Sequence, residues 1–174
     1  MLERDEILEL VKKGLTEVGQ ELLRNSRFSN KDWTIGIISK LGGFALESGY
    51  TVYPELTEGG EVRKSSEWLY DLTWCIEDKE RGWAFRGIGL ALESEWKSDL
   101  WNLNYDFQKL VQAKTEVKVF VCNDLSDRNL ECLVGNIKSF KPQNESERYL
   151  FALYQFNAEQ PFAYRLYNGC GEEV

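Results

Sequence analysis

The amino-acid sequence predicts an α/β protein in which helices flank a mixed central β-sheet. Residues 2–23, and the residues that follow a cap at Asn30, repeat apolar side chains at steps of three and four, which is typical of amphipathic helices. Residues 87–97 alternate between apolar and polar side chains, the pattern of a half-buried strand. Residues 117–122 are almost continuously apolar, which favours a strand covered on both faces.

The composition limits the chemistry that the chain can perform. A chain of 174 residues favours one domain, 1–174, and a hydrophobic fraction of 43% excludes a disordered protein. The absence of histidine removes His-based triads and general bases, and four scattered cysteines favour buried free thiols over a zinc site. Any catalysis must therefore use carboxylates, lysines and metal.

The sequence also predicts where the protein works. No apolar run reaches membrane-spanning length, and the first residues lack a basic and apolar leader, so we expect a cytoplasmic protein without a membrane partner. The formal net charge of −8 lowers the non-specific part of any affinity for nucleic acid.

Two strand-like segments carry a candidate site. Asp71 interrupts an apolar run at 68–76, and Glu93, Glu95 and Lys97 share one face of the alternating segment. The polar residues 77–82 end in glycine and predict a hairpin, and counting back from a turn near Arg81 puts Asp71 opposite Leu92 or Glu93. Three carboxylates would then converge and require a hard cation, Mg²⁺ or Mn²⁺. The competing interpretation is that these charges form the wet face of an edge strand.

At these residues the chain resembles the PD-(D/E)XK nuclease superfamily, in particular small bacterial members. The resemblance covers residues 40–123 and implies a restriction-endonuclease-like αβββαβ core at about 31–123. To this core the sequence adds an N-terminal helix at 2–23 and a C-terminal helix and β-hairpin at 126–168. Two frames fit the motif, Glu93-x-Glu95 and Glu95-x-Lys97. Tyr70 precedes Asp71, where the family's name has proline.

The resemblance implies a metal-dependent nuclease, acting on DNA more than on RNA. Asp71 with Glu93 or Glu95 would hold the metal, and Glu47 at the end of the second helix is a further candidate ligand. Lys97, or Lys109 from the following helix, would orient the water or hold the phosphate.

Other parts of the chain support smaller expectations. The alternative function is a nuclease fold that has lost catalysis and binds nucleic acid or protein. A homodimer would use the first helix or the last two strands, residues 149–156 and 162–167. In the loop at 57–66, Arg63 and Lys64 are candidates for a phosphate contact.

Overall fold

A computed structural model describes residues 1–24, 29–63, 68–156 and 158–174. In chain order the elements are α1 (Arg4–Arg24), α2 (Asn30–Glu47), β1 (Thr51–Tyr53), β2 (Leu72–Asp78), β3 (Ala84–Glu95), α3 (Leu100–Gln112), β4 (Val117–Asn123), α4 (Asp127–Ser139), β5 (Arg148–Tyr154) and β6 (Phe162–Asn168). The α/β class is confirmed, and the order from α2 to β4 is the predicted helix, three strands, helix, strand.

Within the described ranges the strands form one six-stranded mixed sheet whose spatial order equals the chain order. β1, β2 and β3 pair antiparallel, β3, β4 and β5 pair parallel, and β6 returns antiparallel to β5. The predicted C-terminal hairpin is therefore confirmed. Each parallel step is bridged by a helix, α3 before β4 and α4 before β5, as parallel neighbours require.

The two faces of the sheet bury separate apolar clusters. On one face α1 and α2 pack over residues such as Trp74 and Leu92. On the other face α3 and α4 pack over residues such as Phe120 and Phe151. β4 is buried along almost its whole length, which confirms the prediction that residues 117–122 are covered on both sides.

The starts of α2 and β2 differ from the predictions. The N-cap of α2 is Ser29 and not Asn30, because Ser29 has an extended backbone and exchanges hydrogen bonds with Asp32 in a capping box. β2 begins at Leu72 and not at residue 68, since the side chains of Trp68 and Leu69 lie exposed before it. Asp71 is thus the last residue before the strand.

Several smaller expectations have mixed outcomes. Cys75 and Cys122 are buried free thiols as predicted, whereas Cys132 is exposed and Cys170 half-buried. Arg63 forms an ion pair with Glu55 at 3.3 Å, and Lys64 lies outside the described residues. None of the described helices combines the length and the apolar character needed to cross a membrane.

Candidate active site

The hairpin of β2 and β3 brings Asp71 beside Glu93. Leu72 pairs with Leu92 across the antiparallel hairpin. Asp71, directly before Leu72, therefore neighbours Glu93, directly after Leu92. The turn is a short 3₁₀ segment at Lys79–Arg81 that ends in Gly82 with a left-handed backbone, the conformation that glycine adopts at low cost. The observed pairing selects Glu93 from the two partners, Leu92 and Glu93, that the sequence left open for Asp71.

Glu93 is the most deeply buried carboxylate of this region. Its side chain is only 2% exposed, and Lys109 of α3 places Nζ 2.9 Å from Oε1 of Glu93. The ammonium is the group that compensates this buried oxygen, because no uncharged donor of the described residues bonds it. Glu93 therefore depends on one lysine to offset the cost of burying a carboxylate.

Asp71 is held by the backbone and side chain of Ser94. The N–H of Ser94 donates to Oδ2 of Asp71 at 2.8 Å, and its hydroxyl donates to the same oxygen at 2.7 Å. Burial raises the pKa of Asp71 above its ordinary value despite these two donors and the nearby charge of Lys109. The carboxylate is thereby fixed in orientation next to Glu93.

Lys109 joins a third carboxylate to the cluster. Its Nζ lies 2.7 Å from Oδ1 of Asp106, one turn earlier on α3. Sequence reasoning missed Asp106 as a site residue, although the spacing of three between an acid and a lysine on one helix was the available signal. The site cluster is accordingly defined as Asp71, Glu93, Asp106 and Lys109.

Burial and charge shift the ionisation of this site cluster. Burial, and then the neighbouring Asp71, raises the pKa of Glu93 to about 8 even though Lys109 opposes the shift. Burial alone would lower the pKa of Lys109, but the contacts with Asp106 and Glu93 outweigh burial and raise that pKa above its ordinary value. The ammonium therefore stays charged. One cation therefore faces three acidic groups.

Three of the predicted site residues lie outside the site cluster. Oε1 of Glu95 accepts the backbone N–H of Lys97 at 2.8 Å, and Nζ of Lys97 lies 3.4 Å from Oδ1 of Asn102. Glu47 is exposed at the end of α2, which packs on the opposite face of the sheet from Glu93. Across the described ranges, no group of three His, Cys, Asp or Glu side chains is close enough to hold a metal. The predicted convergence of Asp71, Glu93 and Glu95 is not found there.

No family model, curated protein or solved structure matches this chain. Its chemistry must be inferred from its own residues.

Another lysine, which is buried, lies on the same face of the sheet. Sequence reasoning missed it. Lys118 of β4 is 1% exposed, and its Nζ contacts Oε2 of Glu147 at 2.6 Å, the hydroxyl of Tyr149 at 2.9 Å and the carbonyl of Val111 at 3.3 Å. The Tyr149 hydroxyl in turn donates to Glu147 at 2.9 Å. Burial lowers the pKa of Lys118, but all three of its donors have acceptors. We call these residues the closed cluster.

Proposed function

We propose that the protein is a metal-dependent nuclease that hydrolyses phosphodiester bonds, in DNA more than in RNA, at the site cluster. One observation carries the proposal: the buried carboxylate of Glu93 on β3 and the half-buried carboxylate of Asp71, directly before β2, lie together beside a single lysine, Lys109 of α3. The element order from α2 to β4 supports it, because it agrees with the αβββαβ core of the PD-(D/E)XK nucleases that these residues resemble.

The residues of the site cluster fit a divalent cation. All the available donors are carboxylate oxygens, which Mg²⁺ and Mn²⁺ prefer, and Mg²⁺ commonly takes only one or two carboxylates from the protein. Oε1 of Glu93 lies 2.9 Å from the ammonium of Lys109, so this oxygen already accommodates positive charge, and a cation beside it would share that role. Asp71 and Glu93 would hold the ion. When bound, it would supply charge neutralisation at the phosphate and activation of water.

The remaining roles at the site belong to Lys109, Ser94 and Glu93. Lys109 remains protonated at neutral pH and therefore acts as a cation that binds the phosphate, and not as a general base. Ser94 keeps Asp71 oriented. In the metal-free site the pKa of Glu93 is raised to about 8, so a cation that binds there would displace its proton. Proton and metal would therefore compete for the same carboxylate.

A cleavage assay tests this function. Plasmid and labelled oligonucleotides are incubated with Mg²⁺, Mn²⁺ or EDTA and with the wild-type protein, Asp71→Asn or Glu93→Gln. We expect cleavage that needs the metal and falls at least about 100-fold in both variants, the scale of losing a metal ligand. Glu95→Gln is the matched control, because Glu95 lies on the same strand but outside the site cluster, and it should retain activity within a few fold.

Two results would contradict the function: cleavage that persists in EDTA, or equal cleavage by Glu93→Gln and wild type. The alternative function, an inactive nuclease fold that binds nucleic acid or protein, is favoured by the net charge of −8 and by the engagement of Lys109 with two carboxylates. Metal binding at the site cluster without any cleavage would support that alternative.

A further inference from the structure

The outer face of α3 carries two large aromatic side chains that the core does not use. The side chain of Trp101 is 80% exposed and that of Tyr105 is 63% exposed. A spacing of four residues puts both on one side of the helix, about 6 Å apart along its axis. Aromatic groups this exposed contribute little to folding, which indicates a surface available for contact.

This aromatic stripe leads into the site cluster. Nζ of Lys109, one further turn along α3, lies 5.8 Å from the centroid of the Tyr105 ring and 2.9 Å from Glu93. A single cation thus contacts the aromatic stripe on one side and the buried carboxylate on the other. A group that stacks on the Tyr105 ring would therefore be separated from Glu93 by Lys109.

A second aromatic group lies on the same face of the sheet. Trp68, three residues before Asp71, is 43% exposed and lies 5.6 Å from Phe85 and 5.8 Å from Tyr53 between ring centroids. Val52 packs into the core beneath α1 and α2, so Tyr53 projects to the face that α3 occupies. Phe85 is 55% exposed. Exposed rings on this face of the sheet therefore belong to the hairpin as well as to α3.

Charge decides which partner fits this surface. Duplex DNA is bound chiefly through its phosphates by lysine and arginine, which a chain of net charge −8 supplies poorly. Unpaired bases also stack on aromatic rings, a contact that adds to any contact of the backbone with cations and that the stacked bases of a duplex cannot make. An acidic protein with exposed rings beside a phosphodiester-cleaving site is suited to single strands.

We propose that Trp101 and Tyr105 bind an unpaired single-stranded segment of nucleic acid and deliver its backbone to the site cluster. This assignment of substrate class rests on the proposed function. The rings hold the bases, Lys109 receives the phosphate, and the duplex form of the same sequence is a poorer ligand.

Fluorescence anisotropy tests the proposal without relying on cleavage. A labelled 15-nucleotide strand, as DNA and as RNA, and the matching duplex are titrated in EDTA with Asp71→Asn/Glu93→Gln protein, which cannot cut. Trp101→Ala and Tyr105→Ala are added to this background singly and together. Each should weaken single-strand binding about tenfold, and the pair by more, whereas Tyr105→Phe should retain binding because the ring remains.

Trp83→Ala is the matched control. Trp83 is 59% exposed at the tip of the β2–β3 hairpin, ten residues before Glu93 and so about 30 Å away along the strand. It should leave affinity within about twofold, and thermal melts of every variant show whether the fold is intact.

The outcomes separate this proposal from the proposed function. Unchanged affinity in the Trp101→Ala/Tyr105→Ala pair, or tighter binding of the duplex, overturns the single-strand surface even if metal-dependent cleavage is observed. Loss of binding in that pair supports the surface even if no cleavage is observed. Failure of every oligonucleotide to bind also overturns it and leaves a protein partner for these rings.

Discussion

The site cluster and the closed cluster are two lysine–carboxylate arrangements on the same face of one sheet; Lys118 is buried, whereas Lys109 is 37% exposed. In the closed cluster Lys118 meets a single carboxylate, Glu147, and the Tyr149 hydroxyl connects the two. In the site cluster Lys109 meets Glu93 and Asp106 directly, while Asp71 lies close enough to raise the pKa of Glu93. β3 and β4 carry the two clusters side by side, since Ala91 pairs with Lys118.

The difference shows that burial of charge alone does not indicate function. Every donor of Lys118 is satisfied and its charge is balanced, so the closed cluster is a structural connection between β4, α3 and the segment before β5. The site cluster keeps an excess of acid, because Glu93 and Asp106 both pair with one lysine. A cation or a phosphate can bind where the charges of neighbouring groups do not balance, as at this edge of the sheet.

Removing each lysine should produce the largest contrast between the clusters. Lys118→Met leaves Glu147 and Tyr149 facing an apolar interior, so the free energy of unfolding should fall by about 3 kcal/mol. Lys109→Met should cost less than about 1 kcal/mol, because Lys109 is 37% exposed and Glu93 can take up a proton instead. Urea denaturation measures both values. A larger loss in Lys109→Met than in Lys118→Met would invert the comparison.

The pH dependence of stability should come from the site cluster. The pKa of Glu93 is raised from 4.5 to about 8 on folding, so between these values the folded state binds more protons than the unfolded state, and stability falls as pH rises. In EDTA, the wild-type protein should lose about 2 kcal/mol relative to Glu93→Gln between about pH 6 and about pH 8.

Glu95→Gln supplies the control for this measurement, since Glu95 is outside the site cluster and its replacement should leave the wild-type slope unchanged. Parallel pH profiles of wild type and Glu93→Gln would show that Glu93 is not a proton-binding group of the folded state.

The smallest expected effect concerns the hydroxyl that orients Asp71. Ser94 donates to Asp71 at 2.7 Å and also contacts Oγ1 of Thr34 at 3.0 Å, so Ser94→Ala should cost about 1 kcal/mol and weaken metal binding. Ser146→Ala, beside the closed cluster, removes an exposed hydroxyl and should cost less than about 0.5 kcal/mol. Equal losses in thermal melts would remove the distinction between the two positions.

The part of the site that follows from alternation and hairpin geometry could be predicted from the sequence. A strand's period of two and a turn near Arg81 narrowed the partner of Asp71 to Leu92 or Glu93, and the two register shifts in the β2–β3 pairing fix it as Glu93. Lys109 could be placed only through the family resemblance, because no local rule fixes how a helix packs over a strand.

Other features depended on contacts distant in the chain. β3 ends at Glu95, and the chain then turns so that Glu95 binds the backbone of Lys97 and does not join Asp71. Lys118 lies inside an apolar run, and its partner Glu147 is 29 residues away, so no periodicity could reveal the pair. Such contacts arise from tertiary packing and leave no local pattern.

The most direct test of the account is to measure proton release when a divalent cation binds. Mg²⁺ or Mn²⁺ is titrated into the protein by calorimetry near pH 7 in two buffers with different ionisation enthalpies. Because Glu93 is largely protonated there, binding at the site cluster should release about one proton per ion in wild type and none in Glu93→Gln. Binding without proton release, or undiminished binding in Asp71→Asn/Glu93→Gln, would contradict the assignment of the site cluster as a metal centre.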